Sequence, residues 1–104
     1  MDARTARAAR AACETRLTVL EQSHQSSMAQ VQDEETLWQG LDRQMLYPVS
    51  TEADRDRIII LESFRTQCTW RILRLREHIV RIQQEIATVL EEIASLPITA
   101  PDIP

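Results

Sequence analysis

Two His and two Cys are the side chains in this 104-residue sequence most able to bind a metal or serve as nucleophiles. Cys13 and Cys68 are too far apart in sequence for a C-x-x-C pair or a zinc spacing, and two cysteines make no disulfide framework, so both read as reduced thiols. His24 and His78 would come within about a helical turn of each other on two antiparallel helices. No Cys or carboxylate completes a ligand set at that level, so they read as ordinary polar seam or flank residues. With Gly40 as the only glycine, no phosphate-cradling loop can form, and neither a nucleophile elbow nor H-E-x-x-H is present. These residues predict no enzyme and no cofactor. Arg71, Arg74, Arg76 and Arg81 make a basic band. Such a band is a solvated face or a match for a partner's acidic surface. A net charge of -4 and few aromatics argue against nucleic acid. The Arg-rich start has only Ala on its apolar side, which makes a poor membrane anchor.

The elements carrying these residues are helical. One Gly and four Pro leave few places to turn, which disfavours sheet folds. The longest apolar run, Ile58 to Leu61, is far short of the roughly 20 residues that cross a bilayer, so no membrane insertion is expected. No apolar core follows the N-terminal arginines, and the cytoplasm is the expected location. All 12 basic residues are Arg, and the absence of Lys and Asn points to a GC-rich genome.

From Arg71 on, Ile72, Leu75, Ile79, Ile82, Ile86, Val89, Ile93 and Leu96 alternate spacings of three and four, a heptad seam with Ile at every a position. Upstream, Leu61, Phe64 and Cys68 continue the stripe with two successive spacings of four, a local stutter. The first half carries the same register through Cys13, Leu17, Leu20, His24, Ser27, Val31, Glu34, Trp38, Leu41 and Met45. The reading is one all-α domain over 1–96, an antiparallel two-helix coiled-coil hairpin. Helix 1 covers about 3–46, the turn 47–50 and helix 2 about 51–96, with a Pro-containing tail over 97–104. Facing residues then have numbers adding to about 98, which pairs Glu34 with Arg65 and sets Arg4, Arg7 and Arg10 opposite Glu91 and Glu92.

Helix 2 is apolar beyond its seam, at Trp70, Leu73, Val80 and Leu90, and helix 1 has too little apolar surface to cover that flank. Self-association into a homodimeric four-helix bundle, or docking of another protein, would cover it. The second candidate surface is the hairpin tip, with Trp38, Leu41, Met45, Tyr47, Ile59 and Ile60.

Trp38, Gln39 and Gly40 resemble the motif of small W-x-G hairpins exported by type VII secretion, although that family carries it in the turn itself. A second resemblance covers residues 16 to 90. Arg16-Leu17-Thr18-Val19, Gln32-Asp33-Glu34 and the run Ile72, Leu75, Ile79, Ile82, Gln83 are similar in kind and order to the central stalk proteins of type III secretion injectisomes, counterparts of the flagellar export-apparatus J protein. That resemblance implies a two-helix cytoplasmic stalk, in protein transport and virulence, joining the secretion ATPase to the export gate and handling substrate chaperones. The gate-facing surface would lie near the tip, and the Arg-rich helical ends would face the ATPase. A secretion chaperone or scaffold that grips a partner helix through the apolar flank is the other reading.

Overall fold

The computed structural model describes residues 1–97. The tail expected over 97–104 lies, from residue 98 on, outside the described residues. The chain forms an all-α helical hairpin of two helices, α1 (Ala3–Gln44) and α2 (Glu52–Ser95), each end within two residues of the expected boundary.

Local chemistry sets the helix ends. Asp2 accepts the Thr5 amide on Oδ1 at 2.7 Å, an N-cap for α1, and that bond holds the Asp2 carboxyl below its ordinary pKa. At α2, Thr51 Oγ1 accepts the Asp54 amide at 3.1 Å, while Asp54 Oδ2 accepts the Thr51 amide at 3.1 Å and the Ser50 amide at 3.2 Å. This reciprocal box satisfies otherwise orphaned donors, and the bond from the Ser50 amide leads in lowering the Asp54 pKa. At the end of α1, the Met45 amide is shared between the Leu41 and Asp42 carbonyls, and the Leu46 amide reaches Arg43 O at 3.1 Å. The turn tightens there, and Pro48 follows with no amide to continue it.

Two compact units make up the chain: residues 1–25 with the chain from 80 on, and residues 26–79. In the first, Ala6, Cys13, Ile82 and Val89 are buried, and Leu17, Leu20, His24, Ile86 and Ile93 are half-buried. Glu92 Oε2 there accepts Arg16 Nη1 at 3.2 Å and the Cys13 thiol at 3.6 Å. This contact lies further along α1 than the arginines of the first two turns that the sequence sets opposite Glu92.

In the second unit, Ser27, Val31 and Leu41 of α1 and Leu61, Cys68, Ile72 and Ile79 of α2 are buried, with Glu34, Trp38, Met45, Ile58, Arg65 and Leu75 half-buried between them. Two expectations are corrected here. Phe64 is 51 % exposed, and Arg65 takes the seam position instead, so spacings of three and four run from Ile58 onward with no stutter. The expected Glu34–Arg65 pair is also absent. Glu34 meets Arg71, whose Nε lies 3.0 Å from its carboxylate, and Arg65 Nη1 donates to Asp42 Oδ1 at 2.7 Å. α2 is thus displaced along α1 by about one heptad from the register centred on the turn. A slip of seven residues returns every side chain to the same face, so the heptad pattern is equally satisfied by both registers.

Candidate functional site

The displaced register creates the most distinctive surface in the molecule. Arg65 is level with Asp42, two residues before α1 ends, so the start of α2 runs past that end with only the connecting loop beside it. Ile58, Ile59, Ile60 and Leu61 make one turn there that is apolar on every side. A helix apolar all round belongs in an interior. Ile58 and Leu61 turn to the seam, whereas Ile59, Ile60 and Phe64 are more than half exposed. The loop adds Leu46 at 78 % exposure, Tyr47 and Val49. Six large apolar side chains thus surround one end of the 26–79 unit, an exposed cluster of the kind that marks binding surfaces.

Of the tip residues expected from sequence, Tyr47, Ile59 and Ile60 belong to this surface. The other three do not. Leu41 is buried, and Met45 and Trp38 are half-buried in the seam. Trp38 is also tied down: its Nε1 donates to Thr69 Oγ1 at 3.1 Å, and the Arg65 guanidinium lies 5.7 Å from its ring centroid. Leu46, Val49 and Phe64 complete the surface and were missed. Phe64 could have been found from the doubled spacing of four, which its neighbour Arg65 removes.

On the flank, Trp70 and Leu73 are exposed in the 26–79 unit, and Val80 and Leu90 are exposed in the other. A shallow groove beside Leu73 is lined by Glu35, Trp38, Gln39, Thr69, Ile72 and Arg76. The basic band is partly neutralised. Arg71 pairs with Glu34, and Arg76 Nη2 reaches Glu35 Oε1 at 2.7 Å. Arg74 and Arg81 make no ion pair among the described residues. Arg74 lines a second shallow groove with Gln30, Asp33, Glu34, Arg71 and Leu75.

The cysteines occupy a matched pair of polar clusters that sequence reading also missed. Cys68 is fully buried and lies 3.1 Å from Glu34 Oε2 and 3.0 Å from the Glu34 carbonyl oxygen, with Arg71 on the same carboxylate. Cys13 repeats this with Glu92 and Arg16. Both are Cys-x-x-Arg sequences facing a Glu of the other helix, and the repeated spacing was the available signal. Burial and then the neighbouring carboxylate push both thiols above their ordinary pKa, while the thiol bond and then Arg71 lower that of Glu34. Thiols of this kind are inert hydrogen-bond donors rather than nucleophiles.

His24 Nε2 lies 3.4 Å from Gln83 Nε2, and His78 is exposed. Among the described residues no three His, Cys, Asp or Glu side chains gather as a metal site, and no helix is long and apolar enough to cross a membrane. No protein-family model matches the chain, and no curated protein or solved structure matches it.

Proposed function

We propose that this chain is a non-enzymatic docking hairpin that works by holding other proteins, and most specifically a stalk of a type III secretion system that couples its ATPase to the export gate in the cytoplasm of a GC-rich Gram-negative bacterium. The observation that carries the docking role is the tip: Leu46, Tyr47, Val49, Ile59, Ile60 and Phe64 stand exposed around one end of a two-helix unit. No other described residue covers them, so a partner's apolar surface is the natural counterpart. The stalk assignment rests on the sequence resemblance together with the hairpin architecture that such stalks share.

Purified secretion ATPase and gate cytoplasmic domain from the same genome provide the test. The wild-type chain should bind the gate domain and stimulate the ATPase. Ile60→Glu with Phe64→Glu should remove gate binding and leave ATPase stimulation intact. Failure of the wild-type chain to bind either protein refutes the stalk assignment, and gate binding unaffected by the double substitution refutes the tip as the docking surface. The exposed Trp70 and Leu73 favour a second reading, a secretion chaperone or scaffold gripping a client helix through the flank. The W-x-G reading gains no such support, because Gly40 lies inside α1 and Trp38 is engaged with Thr69 and Arg65.

A further inference from the structure

Taking Ile58, Arg65, Ile72 and Ile79 as the a positions of α2, the b positions of the 26–79 unit are Ile59, Thr66 and Leu73, none of them charged. Trp70 lies beside them at an f position, and the e positions along the same edge are Glu62, Thr69 and Arg76. Ile59 and Trp70 are each about 60 % exposed, and Leu73 43 %. The edge has a pattern: Glu62 comes seven residues before Thr69, and Arg76 comes seven after it. Two such edges laid antiparallel around a two-fold axis at Thr69 put each Glu62 against Arg76 of the other copy. A parallel pairing would instead set Glu62 on Glu62 and Arg76 on Arg76, which is repulsive.

From this charge complementarity we infer that the flank is a self-docking surface, where a second copy of the chain packs its α2 antiparallel to the first with Thr69 at the two-fold axis. Thr66 is then level with Leu73 of the other copy, and the two Trp70 rings meet near the axis. The contact is isologous and closes after two chains. Glu62 has no ion pair among the described residues. Arg76 gives Nη2 to Glu35, and its guanidinium has further donors to spare. A contact over these four turns buries on the order of 1,200 Å², the lower end for a specific pair, so the dimer is reversible and concentration-dependent. Ile60 and Phe64 lie at c and g positions on another side of α2, and Ile59 lies before Glu62, outside the span between the two charge pairs, which leaves tip docking and self-docking compatible. The inference therefore stands or falls separately from the tip assignment.

Charge reversal tests it. One variant carries Glu62→Arg. A second carries Arg76→Glu together with Glu35→Arg, so that the intrachain pair is kept. By sedimentation equilibrium the wild type should show a monomer–dimer equilibrium. Each variant alone places two like-charge pairs in its dimer and should raise the dissociation constant by about tenfold. An equimolar mixture forms complementary heterodimers only, and should recover wild-type affinity. A folding defect cannot produce that recovery. The inference is overturned by a wild type that stays monomeric at about 100 µM, by a dimer indifferent to either reversal, by a mixture that fails to recover, or by a dimer that Ile60→Glu with Phe64→Glu dissolves while the reversals do not.

Discussion

Replacing Glu34 by Leu should stabilise the protein, although it deletes a carboxylate that holds two partners. Glu34 occupies a seam position on α1, with its side chain 23 % exposed. Its removal costs the pair with Arg71, whose own side chain is 45 % exposed; partly exposed pairs contribute about 0.2–1 kcal/mol. The bond from the Cys68 thiol to the carboxylate is also lost, a further contribution of no more than about 1 kcal/mol. Cys68 keeps the Glu34 carbonyl at 3.0 Å as an acceptor, so no buried donor is stranded. Against these losses, a Leu at a seam position gains about 1.5–3 kcal/mol from burial. The balance favours Leu by about 1 kcal/mol, a rise in Tm of about 4 °C or more for a chain of this size. Glu34→Ala suffers the same losses without the packing gain and should be destabilised by about 1–2 kcal/mol. Thermal unfolding followed by far-UV circular dichroism, at one chain concentration because self-association contributes, measures both. A Leu variant less stable than wild type by more than about 1 kcal/mol would refute the reasoning, since the carboxylate would then be contributing more than its exposure warrants.

Gly40→Ala should raise stability by about 0.5–1 kcal/mol in urea unfolding, because Gly40 lies within α1 at an ordinary helical φ and an added Cβ meets nothing within 4 Å. Alkaline pH should weaken the fold. The Cys68 thiol is raised above its ordinary value of 9.0 in the folded chain, so its contribution is complete below that pH and fades as the pH rises past it toward the folded value. The urea midpoint should therefore fall between neutral pH and about pH 10, and Cys68→Ser, which keeps a donor but does not titrate there, should flatten the decline.

The alternation of three and four from Ile72 to Leu96, and from Cys13 to Met45, made the two helices legible in the sequence. The register was not legible. Residues Met45 to Thr51 form a connection long enough to reach either of two seams that differ by one heptad, and apolar side chains alone do not discriminate them. The tip surface depends on that choice, because the start of α2 overhangs the end of α1 only in the displaced register. Of the side chains that the sequence placed at the tip, Trp38, Leu41 and Met45 are therefore in the seam, whereas Leu46, Val49 and Phe64, which it did not place there, are exposed.

What discriminates the registers is polar chemistry at a few seam sites. Centred on the turn, the hairpin would pair Glu34 with Arg65 and leave Cys68 about 5 Å and Arg71 about 9 Å along the axis from that carboxylate. In the displaced register Glu34 accepts from both Arg71 and Cys68, and Arg65 is engaged by Asp42 and the Trp38 ring. One salt bridge is exchanged for two salt bridges, a thiol bond and a cation–π contact. Each is individually small, but the sum exceeds the single pair by more than RT, and the apolar seam is indifferent. The same logic holds separately at Cys13, Arg16 and Glu92. The two thiols, which first draw attention as candidate nucleophiles, are therefore better understood as contributors to the register: they are small enough to be buried in the seam and polar enough to donate to a carboxylate at one level of the opposite helix. The exposed tip is a downstream consequence of that choice, whereas the Glu62–Thr69–Arg76 edge, set by the heptad of α2 alone, is the same in either register.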